Sequence, residues 1–408
     1  MQNSKVIKAK APFILYLVLW LLYSFQDILN FSGIIAQAIL FTILAVSLYY
    51  FILVNVRFQL PKVLRVLNLL LISFTIYGFI SIVEGGVHII SESGGAVRPM
   101  DYLKNIYVSF LPIYVTYYAT RIGHFDVKDF RVWAIILLVV SIIKFYSKYD
   151  AAFANIGFLV DDVTNGKSYD IVFIIVLLPL FDKRPLVQYV ILAVCVYFAI
   201  IGMKRGAMVC GAVAMIVFIL LSMRGNKGMG RKLFMIILAS GIIFIIMNII
   251  NHLVIESDWF SVRIMRTMDG NSSGRDDMYN ALLGHFFNEN NVLRLLFGNG
   301  ADATFGIAGN YAHNDWLEIA INNGLVMLVL YFIYWVLLFR TTLYSKKIDN
   351  MCFKILLLFF TTQFLRTFFS MGYSDIALHC SMALGFVLAT IDNNKYHKRI
   401  SKKYLRNE

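Results

Sequence analysis

His313 is the residue in this sequence best placed to do chemistry. An unperturbed imidazole titrates near ~6.5, so it can take a proton from a hydroxyl close to neutral pH. It stands in His313-Asn314-Asp315-Trp316-Leu317-Glu318, just before the first turn of a helix that continues through the apolar run Leu325 to Phe339. Steps of four residues place Asn314, Glu318 and Asn322 in one stripe down that helix. Glu318, one turn on, could orient or tune the imidazole. The whole passage from Gly298 to Gly324 is glycine-rich and closes the longest hydrophilic interval of the chain, about 252–315. Polar groups at the edge of a membrane span are costly, which makes them candidates for function. A histidine there can also cap the helix or sit at a headgroup interface, and Glu318 can serve as an interhelical contact.

Three arginines fall on the same side of the predicted membrane. Arg205 sits at a hairpin tip, Gly202-Met203-Lys204-Arg205-Gly206. Arg275 follows Ser272-Ser273-Gly274, and Arg366 lies before the outer end of a late span. A guanidinium stays charged and bonds phosphate oxygens in pairs. Snorkelling, or an ion pair with a loop carboxylate such as Asp276, is the competing use. The pairs Asp161-Asp162 and Asp276-Asp277 could in principle hold a divalent cation. Adjacent aspartates point apart, however, and no third ligand stands at useful spacing, so no metal is expected. The sequence has no phosphate-binding P-loop, no dinucleotide fingerprint, no His-Glu-x-x-His and no Gly-x-Ser-x-Gly.

The elements that must hold these groups are membrane spans. The chain has 408 residues, 59% hydrophobic and 15% charged, with mean hydropathy +0.71. A soluble domain is about 45–50% apolar and about 25% charged. Twelve spans are predicted, at about 11–29, 33–55, 63–83, 105–120, 131–148, 169–182, 186–203, 206–223, 233–251, 316–339, 352–370 and 376–391. The fourth contains Pro112 and the sixth is short, so a ten-span reading exists. It would move Arg121, Lys128 and Arg131 to the outer face. With twelve spans, most of the 37 Lys and Arg fall on one side, as the positive-inside rule requires, and both termini are cytoplasmic. The net charge of +13 is therefore spent on topology, and no nucleic-acid partner is expected. The N-terminal apolar run reads as a retained first helix, since no small-residue cleavage site follows it. Cys195, Cys210, Cys352 and Cys380 all lie in apolar runs and read as small buried hydrophobes.

These boundaries give transmembrane helices over 1–251, a large outer loop over 252–315 that carries the candidate motifs, further spans over 316–391 and a basic tail over 392–408. Within the loop, Asp276 and Asp277 open a helix through Met278 to Asn288. The acids suit its positive N-terminal end. Its apolar side is expected to lie on the membrane surface or over the bundle.

In three patches the sequence resembles the bacterial O-antigen polymerase and O-antigen ligase family. The sharpest is Gly298-Asn299-Gly300, then His313-Asn314-Asp315-Trp316-Leu317-Glu318, then Asn323-Gly324 and a long apolar helix. The others are Ser273-Gly274-Arg275 and Lys204-Arg205-Gly206, where many relatives have Ser-Arg. The resemblance implies an all-α fold of glycosyltransferase-C type in the bacterial inner membrane. It implies metal-independent, cofactor-free transfer of a glycan from undecaprenyl pyrophosphate at the periplasmic face. His313, with Glu318, would then activate the acceptor hydroxyl. Arg205, Arg275, Arg366 and Lys204 would hold the pyrophosphate, and Asn314, Asn322 and Tyr311 would contact sugar. A flippase and a chain-length regulator are the candidate protein partners. A polymerase passes the growing chain to the next lipid-linked repeat unit, whereas a ligase passes it to lipid A-core. The abundance of 34 Phe and 23 Tyr with divergent outer loops favours the polymerase. A flippase for the same lipid-linked sugar should instead carry charge deep in several spans.

Overall fold

The computed structural model describes residues 2–26, 28–83, 99–153, 166–223 and 275–404, with positions 241 and 248. Apart from those two positions, the predicted ninth span lies outside the described residues, as do Asp161-Asp162 and Ser272-Ser273-Gly274. The described residues are all-helical, with no strand among them. Helix α1 is Gln2–Ser24, α2 Gly33–Arg57, α3 Lys62–Val83, α4 Pro99–Arg121 and α5 Val127–Phe153. Next come α6, Ser168–Val172, which runs on as a 3-10 helix over Phe173–Phe181, then α7 at Pro185–Ile201 and α8 at Arg205–Met223. Three short helices follow: α9 Arg275–Phe287, α10 Val292–Phe297 and α11 Ala303–Ala308. The chain then forms α12 Asp315–Ser345, α13 Asn350–Arg366 and α14 Leu378–Tyr404, so the expected basic tail prolongs the last helix.

Among the described residues, five helices are long and apolar enough to cross a membrane: α2, α3, the Val127–Ser147 part of α5, α8 and α12. The segments Lys10–Ser24, Ser168–Phe181 and Pro185–Ile201 are apolar but shorter. Large apolar side chains point outward from α2, α3 and α7, among them Ile34, Val56, Val83 and Leu186. A protein in water rarely displays so broad an apolar surface, whereas a lipid bilayer covers it at no cost.

The short sixth segment has a physical explanation. Every residue of Phe173–Phe181 is buried, so it is a central post rather than a lipid-facing span. An element that is apolar all round belongs in a core. A 3-10 helix rises ~2 Å per residue against ~1.5 Å in an α-helix, which stretches Ser168–Phe181 to about 25 Å. Pro112 is accommodated inside α4. That helix packs so closely on α14 that a Cβ at Gly385 would strike the Ile113 carbonyl. Small residues allow this approach between helices.

Ion pairs and hydrogen bonds join segments that the charge pattern assigns to the same side. Lys10 meets Asp129 at 2.6 Å, Lys354 meets Asp182 at 2.6 Å, and the Tyr117 hydroxyl donates to Asp392 at 2.8 Å. At the opposite end Tyr77 donates to the Asn323 carbonyl at 3.0 Å, and Ser81 accepts from the Ala301 N–H at 3.0 Å.

Helix α12 is broken at Gly324, where φ is 76° and ψ is −179°. Gly298 adopts a matching conformation, φ 81° and ψ −175°. That region is open only to glycine. The two sites also lie against each other. A Cβ on Gly324 would strike the Leu296 carbonyl, and one on Gly298 would strike the Asn322 carbonyl. Gly324→Ala should therefore lower the thermal unfolding midpoint of the purified protein. The backbone strain alone costs about 1–3 kcal/mol. Gly284 lies in α9 with open space around its Cβ position, so Gly284→Ala should be neutral or stabilising. Equal midpoints for the two variants would mean that the break does not depend on glycine.

Candidate functional site

The break supplies the frame of the site. It releases the carbonyls of Ile321, Asn322 and Asn323 from the helical ladder. The Asn299 N–H donates to Ile321 O at 2.9 Å, the Gly300 N–H to Asn322 O at 3.0 Å, and Tyr77 to Asn323 O. Gly298-Asn299-Gly300 thus caps the first half of α12.

Glu318 and Asn322, one turn apart and fully buried, hold the next segment. Glu318 Oε2 accepts from the Thr304 hydroxyl at 2.6 Å and from the Asn322 amide at 3.1 Å, and Oε1 accepts from the Ala312 N–H at 2.5 Å. Asn322 Oδ1 accepts from the Thr304 N–H at 2.9 Å. These bonds bracket α11 at both ends and fix the residue before His313. Leu282 of α9 packs on Ala312 and Ile321 from above, so α9 lies over the bundle. Its Phe287, with Val292 and Leu293 of α10, is exposed.

Asn314 caps α12, its Oδ1 accepting from the Trp316 N–H at 3.0 Å and the Leu317 N–H at 3.4 Å. Asp315 is buried, accepting from the Tyr331 hydroxyl at 2.6 Å and the Gly372 N–H at 2.7 Å. Three members of the expected site, Glu318, Asn314 and Asn322, thus have structural partners. Arg366 is buried too. Its Nη2 meets Asp375 at 2.5 Å, its Nη1 donates to the Asp375 carbonyl, and its plane lies over the rings of Tyr169 and Phe173 at 4.9 and 5.5 Å. Its bonding edge is engaged by Asp375.

His313 itself has a left-handed backbone, φ 50°, which a side chain adopts only when its surroundings impose it. Its imidazole faces a cavity of ≈ 310 Å³. α4 contributes Asp101, Tyr102 and Asn105 to the wall. The loop around α11 contributes Asp302 and Tyr311, and the α13–α14 connection contributes Tyr373 and Asp375. Burial lowers the His313 pKa to about 4, and the charges of Arg275 and then Lys204 push in the same direction. The structure thus brings Lys204 and Arg275 together beside His313, while Tyr311 shares its cavity. Arg205 opens α8 next to Lys204.

The imidazole is neutral at physiological pH, with a lone pair available for a hydroxyl hydrogen bond, and is weakened as a base. Asp302 behaves in the opposite way. Burial, followed by the Asp101 charge, raises its pKa to about 7. Burial also raises the Tyr311 hydroxyl, and Asp302 adds to the effect. Asp302, Asp101, Tyr102, Tyr373 and Asp375 were not among the residues singled out in the sequence. The available signal was Asp302 beside Gly300, since aspartate tolerates the left-handed backbone it adopts here, φ 59°. No group of histidine, cysteine and carboxylates able to hold a metal ion occurs among the described residues.

A second cavity of ≈ 300 Å³ lies between α7 and α8, with the 3-10 segment at its back. It is apolar, with Cys195, Ala199 and Ile200 on one wall and Met208, Val209 and Met215 on the other. It begins within a turn of Lys204 and Arg205. No protein-family model matches the chain, and no curated protein matches it.

The electrostatic geometry can be read by titration. In NMR spectra of histidine-labelled protein, the signal removed by His313→Gln should titrate near pH 4. Arg275→Gln or Lys204→Met should move it upward, because removing a cation favours the protonated ring. A midpoint near 6.5 that ignores both substitutions would place the cations elsewhere.

Proposed function

We propose that the protein transfers a glycan from a polyprenyl-pyrophosphate carrier and polymerises a surface polysaccharide, as the resemblance to O-antigen polymerases and ligases implies. The observation that carries this reading is the arrangement around His313. The charges of Lys204 and Arg275 act on it, and it lines a cavity with tyrosines, an amide and carboxylates. Cations suit a pyrophosphate leaving group, on which negative charge grows in the transition state. Tyrosine faces and carboxylate or amide oxygens suit a sugar, whose hydroxyls donate and whose ring faces are apolar. The apolar cavity beside the Lys204-Arg205 tip suits the start of a polyprenyl tail.

In this reading the acceptor hydroxyl gives up its proton to a base lining the cavity as its oxygen attacks the donor's anomeric carbon, and the bond to pyrophosphate breaks with its electron pair going to the phosphate oxygen. Lys204, Arg205 and Arg275 stabilise that charge without a metal. Neutral His313 accepts a hydrogen bond from the attacking hydroxyl and orients it. Glu318, Asn314 and Asn322 act through the frame, and Arg366 acts through Asp375. The site faces the periplasm of a bacterial inner membrane. A flippase supplies the lipid-linked unit, and a chain-length regulator sets its extent.

The direct test is a lipopolysaccharide gel from a strain lacking the protein, with and without the wild-type copy restored. Core carrying a single repeat unit supports the polymerase. Bare core with polymer left on the lipid carrier would assign the ligase reaction, and bare core without periplasmic polymer would assign transport. His313→Ala and Arg275→Ala should each lower transfer by more than about 100-fold while the protein still inserts. Chelators should leave the purified enzyme's rate unchanged. Normal polymer from both variants would overturn the assignment of the site.

A further inference from the structure

One polar group in the cavity beside His313, the carboxylate of Asp302, has no hydrogen-bond or ion-pair partner among the described residues, and its residue is 7% exposed. The cavity's other two carboxylates are ion-paired, Asp101 with Lys104 at 2.5 Å and Asp375 with Arg366. A buried carboxylate without a counter-ion is destabilising, and folds keep such groups where a ligand uses them.

The backbone presents Asp302 rigidly. Ala301 before it is tied to Ser81, its own carbonyl accepts from the Phe305 N–H at 3.0 Å, and its φ of 59° is imposed by that frame. Asp302 and His313 line one space of ≈ 310 Å³, of a size to hold a sugar ring.

We propose that this cavity is the acceptor-sugar site and that the Asp302 carboxylate takes the proton of the attacking hydroxyl. The inference rests on the glycan-transfer reading and deepens it. The acceptor O–H proton passes to Asp302 as oxygen bonds to the donor's anomeric carbon. The anomeric C–O bond to pyrophosphate breaks, its electrons leave with the phosphate, and Asp302 then releases the proton to water. His313 holds the hydroxyl in line. Of the two candidate bases, Asp302 is the stronger, for burial strengthens a carboxylate and weakens an imidazole as a base.

The left-handed backbone makes the test clean. Asparagine tolerates that conformation, and glycine relieves it. Asp302→Asn and Asp302→Gly should both fold, with thermal midpoints at or above wild type for the glycine variant. The assay uses purified protein and the lipid-linked glycan extracted from cells lacking it, which serves as both donor and acceptor. Both variants should lose at least about 100-fold in transfer rate. Inhibition by undecaprenyl pyrophosphate should not change, because Lys204 and Arg275 do not line the cavity that holds Asp302. Formate should restore part of the rate to Asp302→Gly by entering the vacated space, a response that a purely structural aspartate would not give. Transfer within threefold of wild type by either variant would overturn the role of Asp302 and leave the transferase reading intact. Loss of rate with no response to formate and weakened inhibition by undecaprenyl pyrophosphate would also overturn it, as a structural effect. Absence of transfer by the wild type would remove the transferase reading and this inference together.

Discussion

The break in α12 is the constraint on which the site depends. In a membrane bundle a carbonyl released from its helix finds no water, and leaving it unbonded costs several kcal/mol. Gly324 releases those of Ile321, Asn322 and Asn323, and the chain answers with Asn299, Gly300 and Tyr77. Once Gly298-Asn299-Gly300 is pinned there, Ala301 and Asp302 have little freedom. Glu318 then clamps Thr304 and Ala312. His313 is therefore placed by a succession of satisfied backbone groups rather than by contacts of its own side chain.

The same logic sorts the polar residues of this end of the bundle. Glu318, Asn322, Asp315 and Arg366 are deeply buried, and their charged or amide atoms have hydrogen bonds or ion pairs. A charge so placed is tolerable only with such partners. After this sorting the His313 ring and the Asp302 carboxylate line the cavity with no hydrogen-bond partner among the described residues. The framework residues and the open residues share types and spacing. Only their partners tell them apart.

That is also the limit of what the sequence made legible. The apolar runs located the described helices well. α2 and α3 match their expected spans within two residues at each end, and the glycine-rich passage marked the place where the chain breaks its helix. The stripe Asn314, Glu318, Asn322 serves local architecture, capping α12 and holding Thr304 and Ala312, which periodicity cannot distinguish from a binding face. Asp302 was hidden because its meaning lies in a cavity it shares with residues far off in sequence, Asp101 on α4 and Tyr373 after α13. The sixth segment looked weak because a count of α-helical residues underestimates the reach of a 3-10 helix. Twelve crossings were expected, of which five helices meet length and hydropathy together.

Charges of both signs act near His313, and burial decides how each group responds. The charges of Arg275 and Lys204 disfavour a protonated ring, and that of Asp101 disfavours an ionised Asp302. Burial acts in the same direction on both, holding the imidazole in its uncharged form. The depressed pKa of His313 and the raised pKa of Asp302 are then two results of one dry cavity. The desolvation that keeps the ring neutral also makes the nearby carboxylate basic.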